Sequence, residues 1–405
     1  MKSHSRKPHH YRVGIAGFGI AGGALAVLLA RAGHSVTLFE RAPQVGPVGA
    51  GFLLQPSGQQ VLRRLGLLDS LIPHSEPIYA LHAFKARGRT LVHLRYSGAA
   101  PGCHAYGVHR GILFETLHAA ARAANVTIQL NHQLVTWRET KEGVLAVDAQ
   151  GQTHGPFDFL AGTDGSRSNL RHTLNPTLAP REYEFGAAWA VGRCTQVRQY
   201  LHQVTDGTRA LLGLLPIGNE QATLFWGVRR DQMTLLRQGG FRAWRETALR
   251  LCPLAEELFA DIGAFERVVF AGYQQVTPPH LYNHRVVLLG DAAHAMSPHL
   301  GQGANLALLD AECLAHSLQE TEEPAAAFRL YCRTRAAQNG YYSTLSRILT
   351  PFFQSDAPLL GVGRDLTLPL MTAIPPLRKQ MELSLAGVKH GLFSSTLDMA
   401  TIYSK

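Results

Sequence analysis

The chain has 405 residues, 46% hydrophobic and 17% charged, which excludes a disordered polypeptide and leaves room for two or three structural units. Its 39 glycines follow no G-X-Y period, which excludes collagen. Lys and Arg outnumber Asp and Glu by 39 to 29, a formal charge of +10, but the arginines are scattered. That argues against a nucleic-acid arm and for a field that draws anionic small molecules. Cys103, Cys194, Cys252, Cys313 and Cys332 are odd in number, widely spaced and without C-x-x-C, so neither a disulfide framework nor a zinc site is expected, and no metal site is assigned. The first twelve residues are polar and basic, unlike a signal peptide, and the apolar stretch over residues 21–32 is too short to cross a bilayer. The expectation is a soluble, cytoplasmic chain.

In chain order, residues 1–10 read as a loose tail. Residues 12–16 (RVGIA) form a short apolar run that predicts a buried parallel strand. Residues 20–32 predict a helix ended by Gly33, and 35–39 a second strand. The three make a strand–helix–strand unit. Helix is expected over 56–71, and a hairpin over 78–94 around Ala86-Arg87-Gly88. Helix follows at 111–124, then strands at 126–130, 144–147 and 157–161. The runs 187–192, 211–215 and 223–228 are spaced as in an antiparallel sheet, with helices at 241–251 and 255–262. A buried strand at 286–289 precedes a long helix over 304–319. The stretch 325–405 reads as mostly helical, broken at Pro351, Pro358, Pro369 and Pro375-Pro376. The fold class expected is α/β: a Rossmann-like dinucleotide-binding domain interrupted by a β-sheet domain, with a helical C-terminal segment.

Gly17-Phe18-Gly19-Ile20-Ala21-Gly22 fits G-x-G-x-x-G between strand and helix. Gly17 permits the tight turn, Gly19 lets backbone approach a pyrophosphate, and Gly22 lets the helix pack close. Glu40 ends the second strand, 18 residues after Gly22, where its carboxylate can accept from a ribose diol. Gly290-Asp291-Ala292-Ala293-His294, then Pro298 and Gly301-Gln302-Gly303-Ala304-Asn305, form a second loop in which Asp291 can bond a polyol and main-chain N–H groups can meet a ligand. A strand–turn–helix connection with a capping Asp would satisfy the same residues. Gly162-Thr163-Asp164-Gly165 follows an apolar run and reads equally as a turn closed by Asp164.

Together, GFGIAG with Glu40, Asp164-Gly165 with Ser168, and GDAAH…P…GQGAN resemble the three signatures of the class A flavoprotein monooxygenases, the p-hydroxybenzoate-hydroxylase-like aromatic hydroxylases. The resemblance runs from Val13 to about Asp310. It implies FAD bound along the first and last motifs, with Glu40 on the adenosine ribose, Asp291 on the ribitol, and Gly301–Asn305 facing the isoalloxazine. It places Asp164 near the pyrophosphate. It also implies that NADH or NADPH reduces the flavin and that O2 adds at flavin C4a, giving a hydroperoxide that oxygenates an aromatic or polyketide-like small molecule.

By the same resemblance, Arg110 at a helix start lies near the flavin phosphates, where an anion would relieve its conflict with the helix dipole. Arg41 is placed near the adenosine and the Leu134 backbone near the adenine. Gly49-Ala50-Gly51-Phe52 is placed beside the flavin ring, although Phe52 departs from the usual aliphatic residue and Pro56-Ser57 from the frequent Pro-Asn. The implied division gives 1–76, 104–180 and 273–345 to FAD, 77–103 and 181–272 to the substrate, and 346–405 to a helical end that caps the pocket or builds a homodimer face.

Phe225, Trp226 and Leu214 are lining or core candidates, with core preferred for each. His294 and His299 invite a general-base role, but a structural hydrogen-bonding role accounts for them more simply, and no catalytic residue is assigned. A second dinucleotide domain is not expected, because Gly361-Val362-Gly363 lacks a preceding strand. The halogenase signature W-x-W-x-I-P is absent: Trp137, Trp189, Trp226 and Trp244 are isolated.

Overall fold

The computed structural model describes residues 9–44, 50–86 and 88–395. Most of the tail expected over 1–10, and Gly49 of the flavin-side loop, lie outside them. The strand Arg12–Ala16 is the middle of five parallel strands, ordered Val286–Leu288, Phe159–Gly162, Arg12–Ala16, Ser35–Glu40, Thr127–Leu130. Strands covered on both faces need apolar side chains throughout, and Phe159–Gly162 and Val286–Leu288 are buried along their whole length. One cover is the helix Ile20–Arg31, buried at eight of its twelve positions, which packs against the helix Gly303–Glu320.

The turn between Ala16 and Ile20 depends on small residues. Gly17 has φ +95, a conformation L side chains rarely adopt. A Cβ on Gly22 would stand 2.1 Å from the Gly17 carbonyl oxygen and 2.6 Å from Thr163 Oγ1. The helix therefore begins hard against the strand ends, with its first N–H groups facing outward.

A seven-stranded sheet runs Val269–Gln275, Arg181–Arg193, Gln221–Arg229, Ala210–Gly218, Tyr200–Asp206, Ala80–Lys85, Thr90–Arg95. It is antiparallel except where Tyr200–Asp206 pairs parallel with Ala80–Lys85. Its apolar face continues into the cavity described below. The other face packs Trp226 and Leu214 with Trp244 and Phe259 in a second core. A small sheet of Gly51–Leu54, Ala105–His109 and Glu76–Ile78 joins the two large ones. There Gly51 N–H donates to Thr223 Oγ1 at 2.6 Å, and a Cβ on Gly51 would stand 2.3 Å from Ile217.

Several expectations need correction. The strand expected over 157–161 is two: Thr153–Phe157 ends a three-stranded meander, and Phe159–Gly162 enters the parallel sheet. Between them Asp158 N–H donates to the Arg12 carbonyl, so the chain changes sheets within one residue. The helix expected over 56–71 stops at Arg64, because Gly66 takes φ +67, and resumes at Leu68. Pro351 and Pro369 do not break helices: they lie inside Pro324–Phe353 and Pro358–Ala373, near their C-terminal ends. A proline there removes one bond and leaves the turns before it intact. Pro358 and Pro375 instead begin helices, where the missing N–H costs nothing.

The long helix Pro324–Phe353 is fastened to the second glycine loop by buried charge. Asp310 is fully buried and accepts from Gly290 N–H at 3.0 Å, Arg335 Nε at 2.8 Å and Asn339 Nδ2 at 3.2 Å. His294 Nε2 lies 2.5 Å from its second oxygen. Burial alone would raise the Asp310 pKa, but the charges of His294 and Arg335 hold it well below the usual carboxylate range. Burial likewise opposes a charged His294, and Asp310 outweighs it, so His294 titrates above its ordinary value. The Asp310 contribution is thus full above the ordinary carboxylate pKa and fades only as pH falls far below it. The His294 contribution is full on the acid side of 6.5 and fades as pH rises through the elevated value. Asp310→Ala leaves Arg335 buried and unpaired, and should cost about 3–5 kcal/mol in denaturant unfolding. A loss under about 1 kcal/mol would contradict this account.

Candidate active site

A continuous cavity of about 1130 Å³ opens beside the first glycine turn and runs under the seven-stranded sheet. Gly17, Gly19, Glu40, Arg41, Gly51, Arg110, Leu134, Asp164, Asp291, Pro298, Gly301, Gly303 and Ala304 all border it. Residues more than 280 positions apart in sequence thus border one cavity, because the strands that lead into them lie in the same parallel sheet with only Phe159–Gly162 between them. Two expected site residues do not border it. Gly22 lies behind the turn and acts through closeness alone. Asn305, expected to face the flavin ring, is buried behind the wall. Its Oδ1 accepts from Gln55 N–H at 2.8 Å, and its Nδ2 donates to the carbonyls of Leu53 at 3.0 Å and Gly301 at 3.1 Å. Both hydrogens of this amide go to main chain, so the side chain fixes the loop.

At the polar end, Glu40 accepts from the N–H groups of Phe18 at 2.8 Å and Ala42 at 2.9 Å, tying the glycine turn to the end of the second strand. Thr163 Oγ1 sits 2.7 Å from the Ala16 carbonyl and 2.9 Å from that of Gly17. Asp164 caps the helix Asn169–Leu174 through one oxygen, 2.8 Å from Asn169 N–H. Its other oxygen is buried and unpartnered among the described residues. Burial raises the Asp164 pKa against these hydrogen bonds. Arg110 and Asp291 are exposed at the cavity wall, and no hydrogen bond or ion pair engages either side chain among the described residues.

Sequence reasoning missed Arg171. It is buried and donates to the carbonyls of Ser166 at 2.6 Å and Ala292 at 3.2 Å, clamping the Asp164 turn to the Asp291 loop. One arginine in a short helix carries no sequence signal of that role. Gln302 was inside a motif, but its side chain serves the far end of the chain: Nε2 donates to the Leu385 carbonyl at 3.0 Å, and Oε1 is buried and unpartnered.

The other end is apolar. Leu81, Val92, Leu94, Leu201 and Leu215 project from the sheet, with Trp189 and Phe225 packed against each other at 5.4 Å, their rings tilted by 41°. Phe225 is thus cavity lining rather than core, while its neighbour Trp226 points to the opposite side, as strand alternation requires. Tyr341, Leu345, Leu349 and Phe353 from the long helix, and Leu368, Met371 and Met381 from the last two helices, close the chamber. His299 stands where the ends meet. Its ring lies against Tyr273 and Phe353, and its Nε2 is buried without a partner among the described residues. Burial pushes its pKa down to about 4, so it is neutral at physiological pH.

The donors fit a flavin dinucleotide. A turn that a Cβ would fill, an unpaired guanidinium at a helix start and the orphaned amide oxygen of Gln302 are the groups such a ligand would satisfy. Comparison with known proteins agrees. A family model described as FAD binding domain matches residues 10–335. The chain is 30% identical to 6-hydroxynicotinate 3-monooxygenase of Bordetella bronchiseptica, over 87% of this chain and 95% of that one. It is 32% identical to aurachin C monooxygenase/isomerase of Stigmatella aurantiaca, over 78% and 82%. The crystal structure of PqsL from P. aeruginosa superposes with a TM-score of 0.78 at 23% identity, over 88% of this chain and all of that one, a likeness of fold. The chain belongs to the FAD-binding-domain family and is an FAD-dependent monooxygenase.

Proposed function

We propose that the enzyme hydroxylates an aromatic, largely apolar small molecule in the cytoplasm, consuming NADH or NADPH and one molecule of O2, of which one atom enters the product and the other leaves as water. The observation that carries this is the continuity of the cavity: the polar groove at Gly17, Glu40 and Arg110 passes without a wall into the chamber of Leu215, Phe225 and Met381. Relatives named for 6-hydroxynicotinate and 3-hydroxybenzoate support the aromatic class. When bound, FAD would take electrons from the nicotinamide nucleotide and activate O2. In this reading residues 1–76, 104–180 and 273–345 hold the cofactor, 77–103 and 181–272 build the substrate side, and 346–405 closes it.

Each residue has a role its chemistry allows. N–H groups at the start of the helix Ile20–Arg31 face the diphosphate, and Arg110 neutralises it. Glu40 receives the adenosine ribose and Asp291 the ribitol chain, while Arg41 and Leu134 border the adenosine. Asp164 holds its turn beside the diphosphate. Gly51, Pro298, Gly301, Gly303 and Ala304 let backbone approach the ring. The apolar chamber excludes water from the reacting oxygen. His299, neutral and with Nε2 free of any partner among the described residues, accepts a hydrogen bond from a ring hydroxyl at Nε2 and orients it.

Asp291→Ala should leave purified protein largely free of flavin; full FAD content with an ordinary flavin spectrum would remove Asp291 from the site. Glu40→Ala should weaken FAD binding by about 1–3 kcal/mol, read by titration of the apoprotein. His299→Ala should lower kcat/KM by roughly 100-fold with FAD retained. Because His299 stays neutral down to about pH 4, wild-type kcat/KM should show no histidine-type fall between about pH 8 and pH 5. Reaction under labelled O2 checks the oxygenation itself: turnover without label in the product would exclude hydroxylation.

A further inference from the structure

The helix Pro358–Ala373 has two unlike faces. Inward, Gly361 meets Thr208, Arg364 donates to the carbonyls of Gly207 and Phe352 at 3.0 Å, and Asp365 pairs with Lys85 at 2.8 Å. These are the only charged residues of the helix, and both are turned to the protein. Outward, Leu359, Val362, Leu366 and Leu370 are 83%, 66%, 67% and 59% exposed, spaced along one stripe, with Ile374 continuing it. A contiguous uncharged stripe of this kind marks a contact surface.

The stripe adjoins the cavity mouth. Met371 and Leu377, and Leu392 and Phe393 beyond the last helix, are exposed and also border the cavity. The lip of the chamber is therefore itself apolar. Exposed Arg378 follows Leu377, Lys379 beside it donates from Nζ to the carbonyls of Gly98 at 2.6 Å and Ala99 at 2.9 Å, and the whole chain carries +10. A second copy would bring the same positive charge to the contact, whereas an anionic lipid surface offers the opposite charge and an apolar layer beneath it. No described helix is long and apolar enough to span a membrane, so such contact would be in the plane of the surface.

We propose that this C-terminal face docks on an anionic bilayer, with Leu359, Val362, Leu366 and Leu370 in the headgroup–acyl boundary and the cavity mouth against the lipid. The docking does not depend on the substrate proposed above. The FAD-loaded enzyme should float with vesicles of equal parts phosphatidylglycerol and phosphatidylcholine, and much less with phosphatidylcholine alone. The double substitution Leu366→Glu, Leu370→Glu lies outside the cavity. It should reduce flotation at least about tenfold while FAD content, thermal midpoint and NAD(P)H oxidation in vesicle-free buffer are unchanged. Leu366→Met with Leu370→Met should float like wild type. Failure of the wild type to float with anionic vesicles would overturn the proposal, and so would equal flotation of the Glu variant. A wild-type dimer by light scattering that the Glu pair turns into monomer would overturn it in favour of a second copy.

Discussion

The buried carboxylate of Asp310 is the constraint on which the site's second wall depends. It answers a main-chain N–H of the loop at Gly290, a histidine of the same loop and an arginine from the next helix, all without solvent. Buried charges survive only when their partners are fixed, so the arrangement leaves the loop no alternative position. The first wall is fixed differently, by absence of side chain at Gly22 and the Thr163 hydroxyl behind it. One wall is held by charge and the other by closeness, and Arg171 joins them.

Between those walls, polarity changes along a single cavity. The entrance is built from helix starts, the carboxylates of Glu40 and Asp291 and an unpaired guanidinium; the interior from leucines, methionines and aromatic rings. In the function proposed above, the same concavity would sort a charged cofactor from an apolar substrate.

The parts legible in the sequence were those set by short-range backbone needs. G-x-G-x-x-G, Glu40 and the Gly301–Ala304 loop declare themselves because a close approach to a phosphate demands glycine in a few consecutive positions. What long-range pairing decides was not legible. The strand Tyr200–Asp206 has mixed polarity and exists because Ala80–Lys85 offers it a parallel partner 120 residues earlier. Leu134–Thr140 and Val269–Gln275, unlike it, are edge strands, each recruited by a single neighbour. Arg335 and Arg171 look like any surface arginines until the fold buries them. Asn305 lies inside a ligand motif, yet its side-chain amide bonds the main chain behind it, which the motif alone does not tell.

The helix Pro324–Phe353 meets Asp310 through Arg335 at one stretch and lines the aromatic chamber through Tyr341, Leu345, Leu349 and Phe353 further along. The same rigid rod therefore sets the flavin-side loop and one flank of the substrate. A lineage changing its substrate cannot remodel that flank freely without disturbing the loop. Diversification is channelled instead toward the sheet residues opposite and the helix Pro358–Ala373, since the last helix is itself tied to the second glycine loop through Gln302.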